Sequence, residues 1–361
     1  MHVLITTDTV GGVWTYTQEL VSGLLQRGHR VTLVSFGAMP RPEQVDWMRG
    51  LEGLDYRPTG YRLEWMQDAE RDVEESRAYV AELIRDMKPD LLHSNQYCFG
   101  NLNVDVPRIV VAHSDVVSWW VGVHGHEPED TPWIRWYREV ITSGLSGADV
   151  VIAPSQFMLD AVRSYYVRPK FGTVVYNGRS PELFDPDLPK NNFVLTVGRV
   201  WDRAKQVSLL MDRQHAMPVC IVGCEVEPGK ADPSGTEQQS SGEKSAGQLR
   251  AVFAEASIYA ATSAYEPFGL APLEAALSRC AIVANDIPSL REIWGEAACY
   301  FRHNNADDLA NTIRLLSGDS DLRRKYADRA YEHARANYTA DQMVCQYEAL
   351  YEAVREMERV A

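Results

Sequence analysis

The sequence predicts an α/β protein of two Rossmann-like domains facing a central cleft. Three observations carry this. The chain has 361 residues, more than one ordinary core accommodates and enough for two domains of roughly 150–190 residues. Short, continuously apolar Val/Ile/Leu runs alternate with segments of helical period, as in parallel strands covered on both faces by crossover helices. The alternation breaks at residues 177–190, NGRSPELFDPDLPK, where three prolines and one glycine mark an interdomain linker.

Before the break, strands are expected at residues 2–6, 30–36, 90–93, 108–112, 149–153 and 173–176, with helices at 13–27, 69–87, 132–145 and 155–165. After it, strands are expected at 193–197, 219–222, 258–261, 281–284 and 299–301. Helices there fall at 269–278, 306–317 and 322–337, and a last one at 340–358. The domains are therefore read as 1–176, a linker at 177–190, 191–339, and a C-terminal helical segment at 340–361. Residues 224–247 are polar, with glycines and prolines, and read as a surface loop. In open α/β sheets ligands bind outside the carboxyl ends of the strands, which two such domains set around the cleft.

Composition narrows the function. Apolar residues make up 45% and charged residues 24%, ordinary for a soluble globular protein. The opening residues have no basic region and carry Asp8, against a signal peptide. No run approaches the ~18 apolar residues of a membrane span, so the expectation is a cytoplasmic protein with no integral membrane segment. Net charge is −14, divided as −7 in residues 1–175 and −7 in the rest. That makes a nucleic-acid partner improbable and neither half a basic membrane-docking module, though local peripheral membrane contact stays open. Cys98, Cys220, Cys224, Cys280, Cys299 and Cys345 are scattered, without zinc-site spacing, and read as buried reduced thiols.

Three segments carry chemistry. Thr7-Asp-Thr-Val-Gly11-Gly12 takes a strand into a helix through two glycines, which let main chain approach a ligand at a helix N-terminus. It lacks the G-x-G-x-x-G of a dinucleotide site and the acid that would close the second strand, so no NAD is expected. Arg199 and Lys205 follow a strand, where a fork and a point charge can clamp a diphosphate; alone, such a pair is more often solvated surface charge. In Tyr265-Glu266-Pro-Phe268-Gly269-Leu270-Ala-Pro-Leu-Glu274 the amides of Phe268, Gly269 and Leu270 open a helix toward an anion. Glu266 and Glu274 can accept hydrogen bonds from sugar hydroxyls, or simply complement the helix start.

Glu266 and Glu274 reproduce the Glu-x7-Glu motif of retaining GT-B glycosyltransferases, and the whole chain resembles glycosyltransferase family 4. The likeness runs through Gly11-Gly12, a His after the fourth expected strand, Pro154-Ser155, Asn177-Gly178, Gly198-Arg199 with Lys205, and EPFGLAPLEA. It implies that Gly11 and Gly12 approach the donor diphosphate and acceptor, and that His113 touches the donor sugar. Read without the resemblance, His113 is a satisfied core or strand-end histidine. By the same likeness Arg199 and Lys205 neutralise the leaving diphosphate, Glu266 holds donor-sugar hydroxyls and Glu274 the ribose. The final helix is expected to cross back onto the first domain. The implied activity is retaining, metal-independent transfer from a nucleotide-diphosphate sugar, UDP- or GDP-linked, to a sugar or glycolipid acceptor, with no cofactor. The chain departs from the family at Thr262-Ser263, usually Pro-Ser, at Ile287-Pro288-Ser289, usually bearing Gly-Gly, and in the polar segment 224–247.

Asp185-Pro-Asp187 has the string of a metal-binding Asp-x-Asp but sits in the linker and reads as a turn. Trp119, Trp120, Trp133 and Trp136 can stack on an acceptor or pack a core helix. A GT-B epimerase and a non-catalytic sugar-nucleotide-binding subunit share the fold as alternatives. The second would be expected to lack at least one of Arg199, Lys205 and Glu266.

Overall fold

A computed structural model describes residues 1–223 and 244–360, the side chains of 357–360 excepted. Cys224 and most of the polar segment, 224–243, thus lie outside the described residues. The chain forms two compact units. One comprises Met1–Val121, His126–Gly178 and Ala340–Ala361; the other, Gly122–Gly125 and Arg179–Thr339.

The first unit holds β1 (His2–Asp8), β2 (Arg30–Phe36), β3 (Leu54–Pro58), β4 (Leu91–Ser94), β5 (Arg108–Val111), β6 (Val150–Ala153) and β7 (Gly172–Val174). They form one parallel sheet in the order β3-β2-β1-β4-β5-β6-β7. Its helices are α1 (Gly12–Gln26), α2 (Pro42–Val45), α3 (Glu70–Met87), α4 (Val116–His124, whose residues from Gly122 on fall in the second unit), α5 (Pro132–Gly147) and α6 (Gln156–Tyr165). The pleat sends alternate residues to opposite faces: Val3 and Ile5 pack with α1, whereas Leu4 packs with α3. Both faces are buried, which is why the central strands read as unbroken apolar runs.

The second unit holds β8 (Asn191–Val197), β9 (Val219–Val222), β10 (Ala256–Ala261), β11 (Ala281–Asn285) and β12 (Cys299–Phe301), parallel in the order β12-β11-β10-β8-β9. Its helices are α7 (Ser208–Met211), α8 (Ala246–Glu255), α9 (Leu270–Leu277), α10 (Pro288–Trp294), α11 (Ala306–Gly318) and α12 (Ser320–Asn337). Helix α13 (Ala340–Val360) then returns to the first unit. Its Met343, Val344, Tyr347, Tyr351 and Val354 join one core cluster with Tyr16, Leu20, Val21 and Leu24 of α1. Ion pairs from Arg27 to Glu348 (3.0 Å) and from Arg355 to Asp90 (2.7 Å) flank that core.

Several elements escaped the sequence reading. β3 is a half-buried edge strand, LDYRP, with a terminal proline and no apolar run. Helix α4, VVSWWVGVH, is apolar nearly all round and shows no period. Helix α10 begins at Pro288 behind Ile287. Helix α8 starts inside the segment expected to be loop, through a capping box in which Ser245 accepts from the Gln248 N–H (3.3 Å) and Gln248 Oε1 accepts from the Ser245 N–H (3.0 Å).

Each sheet reverses its strand order once, between β1 and β4 in the first and between β8 and β10 in the second. Such switch points leave an opening between the loops that follow the two strands.

Candidate active site

In the second unit the segments after β8 and β10 flank the switch point. Asp202, buried, accepts the Ala204 N–H on Oδ1 (2.9 Å) and caps a single 3-10 turn, Arg203–Lys205. Its other oxygen takes Arg199 Nη2 at 2.7 Å. The Arg199 guanidinium lies 5.3 Å from the Trp201 ring centroid, with its side chain 44% exposed. One nitrogen of its fork is therefore anchored to Asp202 while the side chain stays partly exposed.

Lys205 Nζ reaches Glu266 Oε2 at 2.6 Å, and Ser263 Oγ donates to the same oxygen at 3.1 Å. Thr262 Oγ1 donates to the Lys205 carbonyl (2.7 Å), and the Ala264 N–H to the Ala204 carbonyl (2.8 Å). Thr262 and Ser263, which stand where the family usually has Pro-Ser, thus lace the cation to the acid. Asn285, fully buried at the end of β11, braces this loop by donating to the Ser263 carbonyl (3.1 Å) and to Asn304 Oδ1 (3.0 Å).

After Glu266 the chain turns at Gly269, whose φ of +92° favours glycine; a Cβ there would sit 3.1 Å from Glu266 Cγ. Helix α9 begins at Leu270. Among the described residues nothing accepts from the N–H groups of Phe268, Gly269 and Leu270. The Phe268 ring is buried edge-on against Tyr338 (5.4 Å). Glu274, inside α9, forms an ion pair with Arg179 Nε at 2.9 Å, the side chains being 11% and 10% exposed. The Arg179 guanidinium also lies 5.5 Å from the Phe184 ring, and its main-chain N–H donates to the Tyr338 carbonyl (3.1 Å).

In the first unit Gly11 and Gly12 are exposed where β1 passes into α1. Gly11 has φ +67°, and a Cβ there would meet nothing within 4 Å, so the turn presents bare main chain. His113 follows β5, the fifth strand rather than the fourth because β3 intervenes. It is half-buried, with Nε2 2.8 Å from Asn95 Oδ1 and its ring 4.5 Å from that of Tyr16. Asn95 follows β4, and its Nδ2 donates to the Thr6 carbonyl at 2.8 Å. Fully buried His93 places Nε2 3.3 Å from Asn95 Oδ1 and Nδ1 2.6 Å from the Tyr351 hydroxyl on α13. Desolvation holds both imidazoles well below their ordinary value, at about 3, with His93 adding to the effect on His113.

Asp115, two residues beyond His113, accepts from the Ser118 N–H (2.8 Å) and the Tyr166 hydroxyl (2.6 Å), fixing the start of α4. Trp133 stacks on Tyr137 (5.6 Å) and donates to the Met66 carbonyl (3.3 Å), and Trp136 packs on the same cores; Trp119 and Trp120 are half-exposed. Asp185 accepts the Asp187 N–H at 3.2 Å, a local turn. Cys98 and Cys280 are buried, Cys220 and Cys299 half-buried, and Cys345 is exposed on α13, unlike the expected buried thiol. Among the described residues no cluster of three His, Cys, Asp or Glu could hold a metal, and no helix is long and apolar enough to cross a membrane.

Arg179, Asp202, Asn95, His93 and Asn285 were not singled out from the sequence. Asp202 alone had a local signal, an acid heading the turn that ends at Lys205. The others act on partners distant in the chain.

Residues 10–183 match Glycosyltransferase Family 4, and residues 186–333 match Glycosyl transferases group 1. The α-maltose-1-phosphate synthase of Mycolicibacterium smegmatis is 26% identical over 286 residues, 65% of this chain and 72% of that protein. Sucrose-phosphate synthase from Thermosynechococcus elongatus superposes with a TM-score of 0.79 at 18% identity, over 98% of this chain and 99% of that one. Anabaena HepE in complex with UDP-glucose gives 0.74 at 17% identity, over 98% and 100%.

Proposed function

The chain belongs to glycosyltransferase family 4, with the GT-B architecture, and from that premise we propose that it is a retaining hexosyltransferase using a nucleoside-diphosphate sugar without metal. The observation that carries the reading is the Lys205–Glu266 pair, 2.6 Å apart beside the switch point of the second sheet.

In the reaction the acceptor oxygen bonds to the anomeric carbon as the carbon–oxygen bond to phosphate breaks, its electron pair leaving with the diphosphate. Stabilising that developing charge is the main electrostatic task. Arg199, partly exposed, Lys205 and the unengaged amides of Phe268, Gly269 and Leu270 supply cations and donors for it. The acceptor's proton passes to a departing phosphate oxygen on the same face, so configuration is retained. Glu266 holds donor-sugar hydroxyls, and Lys205 keeps it oriented. Glu274 takes the ribose. Gly11, Gly12 and His113 serve the sugar and acceptor. The family resemblance supports these roles.

HepE is described with UDP-glucose, so UDP-glucose is the first donor to test. Two of the similar proteins are named as synthases of sugar phosphates, which puts sugar phosphates beside glycans and glycolipids among acceptors. A screen of UDP- and GDP-sugars for nucleoside diphosphate release, then of acceptors with the best donor, tests the proposal. Interconversion of the donor sugar with no transfer to any acceptor would favour an epimerase instead.

A further inference from the structure

The hydrogen bond between His113 and Asn95 has only one consistent direction. Asn95 Nδ2 donates to the Thr6 carbonyl at 2.8 Å, which leaves Asn95 Oδ1 as the atom facing both histidines. An amide oxygen only accepts, so His113 Nε2, 2.8 Å away, must carry the proton. His93 Nε2 lies 3.3 Å from that same oxygen and 3.3 Å from the Tyr16 hydroxyl, and His93 Nδ1 lies 2.6 Å from the Tyr351 hydroxyl. The path runs from α13 through the end of β4 to His113, two residues beyond β5.

A neutral imidazole has one N–H. With Nε2 protonated, His113 Nδ1 is a bare lone pair. Among the described residues Nδ1 has no partner, and it is not among the sealed-off polar atoms. It is an acceptor left open.

We propose that Asn95, anchored by Thr6 and backed by His93 and Tyr351, is a positioning residue that locks His113 in the Nε2–H tautomer, so that Nδ1 accepts a hydroxyl proton of the donor sugar. The inference rests on the proposed role of His113 at that sugar. It makes His113 a hydroxyl acceptor and excludes it as the acid that protonates a leaving group. Tyr351 brings the last helix into the same hydrogen-bond path, so α13 supports the site as well as the core.

The test is long-range nitrogen–proton NMR on the full chain with labelled histidine, with His113 assigned through His113→Gln. At pH 7.5 the His113 Nε2 signal should fall where protonated nitrogens resonate and the Nδ1 signal where bare ones do. Asn95→Ala should mix the tautomers and lower kcat roughly 10-fold while leaving the KM for the donor within about 2-fold. Asn95→Asp keeps an acceptor beside His113 but loses the donor to the Thr6 carbonyl, so it should hold the Nε2–H tautomer less fully than the native asparagine. Tyr351→Phe should change the His93 signals first.

A bare Nε2 in the native protein overturns the proposal, as does an unchanged tautomer in a folded Asn95→Ala. Normal turnover by His113→Gln with the Nε2–H tautomer confirmed would overturn the role of His113 at the sugar, and the tautomer lock would stand apart from it.

Discussion

Arg179 and Glu274 form a buried ion pair at 2.9 Å in the second unit, joining the segment that enters that unit to helix α9. Each is about a tenth exposed, so neither charge is well screened by water. Removing one partner from such a pair strands the other, which costs about 3–5 kcal/mol. Arg179→Ala should lower the unfolding free energy by about that amount, and Arg179→Ala with Glu274→Ala should cost less than the two singles added. Urea melts of the four proteins give the coupling. The same variants should weaken nucleoside diphosphate binding in calorimetry, because Glu274 without Arg179 loses the contact that fixes its carboxylate. Additive melts would mean that the two side chains do not interact in solution.

Lys205 sits against Glu266, and Arg199 against Asp202, so each cation has a carboxylate that sets its position before any ligand arrives. Lys205→Ala and Arg199→Ala should each lower turnover by about 10²-fold or more, as loss of one oxyanion-type donor does. Steady-state kinetics check this; near-normal turnover in both would remove them from the chemistry.

Transfer should persist in EDTA. The cations proposed for the leaving group are side chains, and no metal-ligating cluster lies among the described residues. Activity abolished by the chelator and recovered with magnesium or manganese would contradict the proposed mechanism.

Stability should fall as the solution is acidified below neutrality. His93 and His113 have native values near 3, against about 6.5 in an unfolded chain. Between those limits the unfolded state binds protons that the native state excludes. The contribution is therefore complete above about pH 6.5 and is lost by about 1.4 kcal/mol per pH unit for each excluded proton. His93, wholly buried, should dominate over half-buried His113. Burial raises the carboxyls of Glu64 and Asp115, which titrate with the opposite effect. The informative quantity is thus a difference: between pH 7.5 and 5.5 the melting temperature of His93→Gln should drop less than that of the native protein. Parallel curves would show that His93 takes up protons without unfolding.

Much of the fold was legible because two-sided burial writes itself into sequence: β1, β2 and β8–β12 are near-continuous apolar runs. β3 was not, because an edge strand needs only half an apolar face. Helix α4 was not, because a segment apolar on every side has no period to read. The site divides along the same line. Lys205, Glu266 and Gly269 stand in short motifs whose local geometry the chain itself imposes. Arg179 and Asn95 matter through Glu274 and His113, and only the folded sheet brings those partners within 3 Å.

Helix α13 gives this chain an unusual order of assembly. The second unit, apart from Gly122–Gly125, is one continuous stretch, whereas the first is completed only by residues beyond Thr339. As the polypeptide leaves the ribosome, Tyr16, Leu20 and Leu24 emerge early but wait for Tyr347 and Tyr351 to cover them. Domains usually fold in the order they are made; here the later-made unit can finish first, while the earlier one stays open along α1. Nascent chains halted after residue 339 should accordingly recruit chaperones to that stripe, and release them once the last helix has been synthesised.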